Sequence, residues 1–504
     1  MEIDDLVRLL DQPPEAAAWY ERVGLNNRQR AHENLLGLAR AGVTLDLLSS
    51  LCTQLEQQLP GLADPDMVLN NLERYFLAQR SPLALASLMD RDPEALSVLL
   101  QIFDASQHLS DLLIRDPEAF DLVRMTDGQP VARDLLVQEV CQEVEALADE
   151  ASVMTALRRY KRRETLRIAY GDVIRRQSID TVTRQISFLA DSLVEAAFRA
   201  SWRKLVEQRG RPTRPDGKPA RFVVLALGKL GGCELNYSSD IDLIFLSDGP
   251  GQTKGARSIS NDEFFDRLAR QIVKLLAENT EFGECYRVDM RLRPNGKQGP
   301  FVVGIDSALR YYDISGRTWE RQAFVKSRAV AGHLDLGVEF LDQLTPWIYR
   351  NYLNRADISG IKALKRRIEH RTIVEGEETR NVKTGRGGIR DIEYSIQFLQ
   401  LMHGGETRRI RTGNTLEALA RLEEAGCLTS QERTLLEENY AELRNIEHRL
   451  QIMFDLQTHT LPESDDELRK LAIRCGHRDQ PERSALIDFK DSYQRATDTN
   501  RRIL

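Results

Sequence analysis

The sequence predicts a mainly helical α+β protein with one small mixed sheet near the middle of its 504 residues. Apolar residues recur at spacings of three and four up to about residue 207 and again after about residue 342, which is typical of amphipathic helices. Short apolar runs and alternating stretches between these regions indicate strands. The expected domains are, in order, an N-terminal helical region at 1–150, a central sheet domain at 151–335 with leading helices at 151–207, and a C-terminal helical bundle at 336–504.

Composition limits the class of function. The 70 basic and 77 acidic residues give a net charge of −7, which argues against a general nucleic-acid binder. No run approaches the ~18 apolar residues of a membrane span, and the acidic start MEIDDLVRLLDQ is not typical of a signal peptide. The six cysteines contain no CxxC pair, so we expect reduced thiols and no structural zinc. These features predict a cytoplasmic protein that binds neither membrane nor nucleic acid.

Strand signals begin after the Pro/Gly-rich stretch 210–220. One run is continuously apolar, as in a buried strand, and two others alternate between apolar and polar or charged residues. A Ser-Asn-Asp-Glu capping pattern introduces a helix between them. The expected elements are a strand at 222–227, a strand at 241–245, a turn-rich loop at 247–260, a helix from Ser260, a strand at 286–292 and a strand at 301–303.

Three aspartates are the candidate catalytic and metal-binding residues. Asp240 and Asp242 are two apart on an expected strand, so they face the same way about 6.6 Å apart and could share divalent cations. Such a pair alone is more often two solvated acids. Asp289, between Arg287 and Arg291 on another strand, changes the interpretation, because three adjacent carboxylates need cations to offset their repulsion. Two metal ions about 3.5–4 Å apart would hold the attacking and leaving oxygens of a displacement at phosphorus.

Residues around these aspartates are suited to binding phosphate. The segment GKLGG follows the first strand, and its glycines let backbone approach phosphate closely. Two serines before the first aspartate carry hydroxyl donors, and two arginines follow the third aspartate. A surface ion pair is the alternative for each basic residue, and for Arg293 it has equal weight. The phosphate-binding candidates are Gly228, Lys229, Gly231, Gly232, Ser238, Ser239, Arg291 and Arg293.

A block from Trp319 to Arg328 has two interpretations. On one expected helix, Lys326 and Arg328 would face phosphate or a protein substrate. Alternatively, that helix packs Trp319 and Phe324 on the core, which explains its apolar residues at least as well.

Two further blocks also leave alternatives open. Gly385–Gly388 introduces a helix whose apolar spacing indicates packing, although a glycine-rich helix start could also bind an anion. Glu393 on that helix would face metal ions or pair with an arginine. The basic cluster at 158–167 is most simply a solvated helix face and otherwise a surface for an acidic partner.

The pattern of a strand-end glycine, about ten residues, two aspartates and a later aspartate resembles the DNA polymerase β-type nucleotidyltransferase superfamily. The second glycine or serine of its signature is Lys229 here. Four blocks more closely resemble the glutamine synthetase adenylyltransferase family, over about Leu157 to His459. They are GKLGGCELNYSSDIDLIF, YRVDMRLRPNGKQGP, RTWERQAFVKSR and GRGGIRDIEYSIQFLQLMHGG.

That resemblance implies an enzyme with two tandem nucleotidyltransferase halves. The N-terminal half removes AMP from a tyrosine of glutamine synthetase by phosphorolysis, and the C-terminal half attaches AMP from ATP. VDMRLRP, SSDIDLIF and GGIRDIE are more similar to the N-terminal half, and one catalytic block in 504 residues suits a single half. The resemblance therefore implies an adenylyl-removing portion in which Asp240, Asp242 and Asp289 hold two Mg²⁺ or Mn²⁺ ions.

The implied partners are glutamine synthetase as protein substrate, the PII signal protein, and phosphate with ADP or ATP. Three alternatives remain. The chain could transfer AMP from ATP instead, or be a regulatory binding module without activity. An RNA-directed nucleotidyltransferase is disfavoured by the net acidity and by the lack of interleaved aromatic and basic residues.

Overall fold

The computed structural model describes residues 1–12, 18–350, 374 and 376–504. Within them the protein is mainly helical with a small mixed sheet, which confirms the expected α+β class. The chain forms two compact units. Unit 1 comprises Met1–Gln129, Leu166–Gln177 and Asn445–Gln494, and unit 2 comprises Pro130–Thr165, Ser178–Arg444 and Arg495–Leu504. Both units combine segments far apart in the sequence, whereas the expected domains are consecutive segments.

The N-terminal part of unit 1 consists of short helices, as expected. Several begin at a side-chain cap; Ser81, Asp92 and Ser106 each accept a hydrogen bond from a backbone N–H three residues on. Proline at the first helical position of three helices fits a site where no N–H is needed. The helices are α1 Ile3–Asp11, α2 Ala18–Arg22, α3 Arg28–Arg40, α4 Leu45–Gln58, α5 Pro65–Ala78, α6 Pro82–Arg91, α7 Pro93–Ala105, α8 Gln107–Arg115 and α9 Ala119–Thr126.

The remaining described helices surround the sheet or follow it in sequence. The helix expected from Ser260 is present, and the Ser260 hydroxyl accepts the Glu263 N–H. These helices are α10 Arg133–Glu145, α11 Glu150–Val173, α12 Ile179–Arg209, α13 Gly228–Gly231, α14 Asn261–Ala277, α15 Ile305–Ser315, α16 Thr318–Val325, α17 Leu334–Ile348, α18 Ile389–His403, α19 Thr415–Glu424, α20 Ser430–Ile452, α21 Asp465–Arg474 and α22 Ala485–Ile503. None of the helices described here is both long and apolar enough to cross a membrane.

Unit 2 contains a five-stranded mixed sheet and a separate two-stranded sheet. The strands are β1 Arg211–Thr213, β2 Phe222–Leu227, β3 Ile241–Ser247, β4 Gln252–Lys254, β5 Val288–Asp289, β6 Val302–Gly304 and β7 Arg328–Gly332. The larger sheet has the order β5-β3-β2-β7, with β6 also pairing with β3. β2 is antiparallel to β3 and β7, whereas β5 and β6 are parallel to β3. β1 pairs with β4 in the smaller sheet.

Both faces of the central sheet are covered by helices. Val223, Leu225 and Leu227 on one face of β2 belong to a core that α15, α16, α17 and α18 complete. On the other face, the Phe222 ring stacks on Phe198 of α12 and on Phe265 of α14. Both faces of the sheet are therefore packed. A site can form at the end of the sheet, where β2 finishes and β3 begins.

Several predicted elements differ from the structure, and the loop expected at 247–260 contains strand β4. The strand expected at 286–292 is reduced to Val288–Asp289, because the chain turns after Met290, whose carbonyl accepts the Arg293 N–H at 3.3 Å. Arg328 was expected on a helix but begins strand β7, whose small residues alternate too weakly to predict a strand. The helices expected after about residue 342 are present in the described residues, and the part of that prediction in 351–373 lies outside them.

Candidate active site

The candidate site begins at a glycine turn at the end of β2. Gly228 has φ +58°, a conformation that favours glycine, and it starts the one-turn helix α13 where the sequence predicted a loop. A Cβ atom on Gly228 would lie only 2.5 Å from Asp242 Oδ2. This residue therefore allows the backbone to approach the Asp242 carboxylate.

The three aspartates lie at the end of the sheet beside this turn. Asp242 and Asp289 are in register on the parallel strands β3 and β5, so their Cα atoms are about 4.8 Å apart and their side chains share a face. Asp240 immediately precedes β3, two residues before Asp242. The structure thus brings the three carboxylates close together.

The pKa of Asp242 reflects the proximity of the three carboxylates. Burial and the negative charges of Asp289 and Asp240 raise the pKa of Asp242 to about 6. The charges of Arg291 and Lys383 oppose this effect in part. A carboxyl group with this pKa favours a nearby cation, since a cation would remove the repulsion that holds the proton on.

The two outer aspartates are engaged by arginines. Arg287 donates to Asp240 at 2.6 Å, and the Arg291 side chain and backbone N–H donate to Asp289 at 2.7 and 2.8 Å. Partial burial alone would raise the pKa of Asp289, but the hydrogen bonds from Arg291 outweigh it, and the pKa is lowered. Within the described ranges, no set of three or more His, Cys, Asp or Glu side chains is already arranged as metal ligands. The aspartates offer the oxygen donors that hard divalent cations prefer, but Asp240 and Asp289 would have to exchange an arginine for the ion.

The phosphate-binding candidates near β2 and β3 occupy different environments. Lys229 is half-buried on α13, Ser238 is buried and Ser239 is half-buried, and both serines directly precede Asp240. Gly231 and Gly232 are buried. A Cβ on Gly231 would lie 1.9 Å from the Lys326 carbonyl oxygen, and one on Gly232 would lie 2.7 Å from the Gly413 carbonyl oxygen. These two glycines therefore permit close backbone packing.

Arg293 closes a loop instead of forming the surface ion pair weighed above. It is buried, and its guanidinium donates to the carbonyls of Met290, Pro300 and Gly299 at 2.8, 3.1 and 3.1 Å. Burial lowers the pKa of Arg293. Its contacts fix the turn that follows Asp289, whereas the Arg291 side chain remains exposed.

The cleft-lining interpretation of Lys326 and Arg328 does not match their contacts. Lys326 Nζ is buried and lies 2.5 Å from Glu234 and 3.1 Å from Glu393. Arg328 forms a bidentate pair with Asp191 at 2.6 and 2.8 Å. Glu393 therefore pairs with a lysine, not with an arginine. In the alternative interpretation, Phe324 is buried in the core as expected, but Trp319 is 37% exposed.

The glycine turn before α18 is a packing element. Gly387 has φ +69°, and a Cβ there would lie 2.1 Å from the Thr497 carbonyl oxygen. The Gly387 N–H donates to Asp391 at 2.8 Å, and Arg386 pairs with Glu378 at 3.0 Å. These contacts favour the packing interpretation of Gly385–Gly388 over anion binding.

The basic cluster on α11 is not a uniformly solvated face, because Arg158 and Arg167 are buried and only Arg159 is exposed. Arg158 is 1% exposed and donates to the carbonyls of Gly283 and Leu275 at 2.6 and 3.1 Å. Arg162 donates to the Phe282 carbonyl at 2.8 Å. These side chains support the segment between α14 and β5, which leads to Asp289.

Sequence reasoning missed two groups near the site. Lys383 is half-buried, and its positive charge acts on Asp242. Glu234 and Asn236, in the segment before Asp240, are buried polar residues with charged partners. No local pattern marks these residues, because their partners lie 92 to 210 positions away.

Two family models match the chain. The model described as glutamate-ammonia ligase adenylyltransferase matches residues 96–343, and the one described as GlnD PII-uridylyltransferase matches residues 362–504. The first match includes β2, β3 and β5 with all three aspartates.

Curated relatives agree with the first model. Three of them are named bifunctional glutamine synthetase adenylyltransferase/adenylyl-removing enzyme. The protein from Nitrosococcus oceani is 39% identical over 68% of this chain. Those from Pseudomonas aeruginosa and Thioalkalivibrio sulfidiphilus are 37% identical over 83% and 36% identical over 84% of it, respectively. The matched regions cover 36%, 44% and 43% of those proteins, so the chain spans less than half of their length. By these matches, residues 96–343 form a domain of the glutamate-ammonia ligase adenylyltransferase family.

Proposed function

We propose that this chain is the adenylyl-removing portion of a bifunctional enzyme that regulates glutamine synthetase. In the proposed reaction, an oxygen of inorganic phosphate attacks the phosphorus of an adenylyl-tyrosine. The bond between that phosphorus and the tyrosine oxygen breaks, the tyrosine regains a proton, and ADP is released. The observation that carries the proposal is the convergence of Asp240, Asp242 and Asp289 beside Gly228, in a domain of this family.

We propose that the three aspartates hold divalent cations, two Mg²⁺ or Mn²⁺ ions. Such ions supply charge neutralisation and polarise the attacking and leaving oxygens. The raised pKa of Asp242 supports the proposal, because its cause is a cluster of negative charge that a cation would relieve. Release of Asp240 and Asp289 would also free Arg287 and Arg291. Both guanidinium groups would then be available to the charges of the substrate phosphates.

The remaining residues contribute by positioning and charge neutralisation, since direct displacement by phosphate needs no protein nucleophile. Gly228, Lys229, Ser238 and Ser239 are proposed to contact the nucleotide phosphates. Arg291 would act with them. Gly231, Gly232 and Arg293 contribute indirectly in this proposal, because they pack α13 and fix the turn after Asp289. Lys383 is added as a further cation facing the aspartates.

We propose glutamine synthetase as the protein substrate, because the relatives carry it in their names. The uridylylated PII protein is proposed as the regulator, and the cytoplasm as the location. The regulator follows from the family resemblance, and the location follows from the six cysteines without a CxxC pair, which predict reduced thiols. The half of the enzyme is assigned from the blocks VDMRLRP, SSDIDLIF and GGIRDIE.

The test incubates the full chain with adenylylated glutamine synthetase, phosphate and Mn²⁺, and separately with unmodified glutamine synthetase and ATP. The proposal predicts ADP release in the first reaction and no AMP incorporation in the second. Asp240→Asn should abolish ADP release and leave binding to glutamine synthetase intact. AMP incorporation without ADP release would support the transferase alternative instead. Binding without either product would support the regulatory module.

A further inference from the structure

The segment from Gly232 to Ser239, here called the catalytic loop, connects α13 to Asp240 and belongs to no helix or strand. Residues 234–238 of the loop are nevertheless buried. Within the loop, the Glu234 N–H donates to the Lys229 carbonyl at 2.8 Å, and the Leu235 N–H donates to the Ser187 hydroxyl at 3.0 Å. The position of Asp240 therefore depends on how this loop is held.

Arg444 on α20 holds the loop most directly. Its side chain is 1% exposed and donates to the Glu234 carbonyl at 2.7 Å and to the Asn236 side-chain oxygen at 2.5 Å. The same guanidinium donates to the Tyr440 hydroxyl at 2.7 Å. One buried cation thus joins α20 to two loop residues, the nearer of which is four positions before Asp240.

The Glu234 side chain extends this contact into a network. Its carboxylate accepts from Lys326 Nζ at 2.5 Å and from the Thr415 backbone N–H. Lys326 also donates to Glu393, which accepts from the Tyr440 hydroxyl at 3.2 Å. The network contains two cations and two carboxylates. Buried charges that are hydrogen-bonded in this way resist rearrangement, because breaking one pair leaves another charge buried and unpaired.

We propose that Arg444 is a positioning residue for the reaction, which sets the catalytic loop so that Asp240 and Asp242 can bind divalent cations. The inference rests on the proposed function and assigns a role to a different part of the chain. Tyr440, Arg444, Thr415 and Glu393 lie within the 362–504 match, whereas the aspartates lie within the 96–343 match. The helices after residue 388 therefore contribute side chains that hold the catalytic loop.

The test measures Mn²⁺ binding to the full chain by isothermal titration calorimetry, with thermal unfolding followed in parallel. Asn236→Ala removes one acceptor of Arg444 and introduces no charge, and Arg444→Met removes the cation. Both variants should bind Mn²⁺ about tenfold or more weakly than the unaltered chain, the size expected when a residue that orients a metal ligand is lost. Arg444→Lys should recover part of the affinity.

Arg449 provides a matched control on the same helix. It is also a buried arginine, but it pairs with Asp172 of α11, at 2.7 and 2.8 Å. Arg449→Met should lower the unfolding temperature and leave the Mn²⁺ affinity of the folded protein unchanged.

The outcomes separate this inference from the proposed function. If the unaltered chain binds Mn²⁺ through Asp242 and folded Asn236→Ala and Arg444→Met bind it equally well, the positioning role is wrong and the proposed function stands. An equal loss of affinity in Arg449→Met would also overturn the inference, because the effect would then follow general destabilisation. If the unaltered chain binds no Mn²⁺, or Asp242→Asn binds it equally, the proposed metal site fails and the inference fails with it.

Discussion

Unit 2 contains two groups of charged side chains that use the same residue types in opposite ways. In the first, the outer aspartates of the candidate site are paired with Arg287 and Arg291, whose side chains are 43% and 68% exposed. In the second, Lys326 and Glu234 are buried, and each has several partners. Exposed pairs of this kind contribute little to stability and exchange partners readily. Buried networks resist change, so burial and partner number distinguish charges suited to chemistry from charges that hold the fold.

The largest effect on stability is expected from breaking the buried network. Lys326→Met removes the cation shared by Glu234 and Glu393 and leaves two carboxylates buried without it. We expect a loss of about 3–5 kcal/mol in the free energy of unfolding, the usual cost of removing one partner of a buried pair. Urea denaturation followed by circular dichroism measures it. A loss below about 1 kcal/mol would show that the network is no more important than a surface pair.

A smaller effect with a defined pH dependence is expected for Glu393→Gln, because Lys326 keeps Glu234 as a partner. Burial alone would raise the pKa of Glu393, but the charges of Lys326, Lys229 and Arg444 outweigh it and lower the pKa. Burial alone would lower the pKa of Lys326, but Glu234 and Glu393 raise it. We expect a loss of about 1.5–3 kcal/mol, as for a hydrogen bond to a charged group.

The pKa shifts of Glu393 and Lys326 define the pH range in which this pair stabilises the fold. A lowered carboxyl pKa gives stability that is complete above the ordinary glutamate value of about 4.3 and is lost as pH falls through the lowered value. A raised lysine pKa gives stability that is complete below the ordinary value of about 10.4 and is lost at higher pH. The difference between the unaltered chain and Glu393→Gln should therefore be constant from about pH 5 to pH 10 and shrink below about pH 4. A difference that grows on acidification would contradict the assigned pair.

The glycine turn gives a third, intermediate effect. Gly228→Ala forces a non-glycine residue into a left-handed conformation, at a cost of about 1–2 kcal/mol in the free energy of unfolding. The added Cβ would also displace the Asp242 carboxylate, so turnover should fall more than stability implies. Gly217→Ala is the matched control, since Gly217 has φ +82° and open space around it. Equal activity in the two variants would show that Gly228 is needed only for the left-handed backbone conformation and not for the position of the Asp242 carboxylate.

The smallest stability effect is expected at the exposed pair. Arg291→Gln should change the free energy of unfolding by less than about 0.5 kcal/mol, because the arginine side chain is largely exposed. Turnover should nevertheless fall, since Arg291 is proposed to meet phosphate charge. Activity assays and urea denaturation on the same preparation would separate these effects. A stability loss as large as that of Lys326→Met would remove the distinction between the two groups.

The main features of the fold could be predicted from local pattern. The buried run at Phe222–Leu227, the alternation through Ile241 and the capped helix after Ser260 each contain their own signal within a few residues. Strand β7 could not be predicted, because its residues are mostly small and its pairing with β2 spans about a hundred positions. The strand expected to reach residue 292 was too long, because the turn after Met290 depends on carbonyl contacts of Arg293 that no periodicity records.

In the candidate site, too, the sequence shows local patterns but not long-range contacts. The aspartates stand out in the sequence because their spacing has a chemical meaning, and the register of β3 and β5 brings Asp242 and Asp289 together. The cleft-lining alternative for Lys326 and Arg328 was wrong, because sequence shows a charge but not its partner, and their partners Glu234 and Asp191 are 92 and 137 positions away. Function-related charges and structural charges look alike until burial is known.

The central claim is that Asp240, Asp242 and Asp289 share divalent cations, and anomalous diffraction from crystals soaked in Mn²⁺ tests it most directly. We expect two peaks about 3.5–4 Å apart bounded by the three carboxylates, with Arg287 and Arg291 turned away from Asp240 and Asp289. Strong peaks elsewhere, with both arginine–aspartate pairs intact and no density between Asp242 and Asp289, would contradict it.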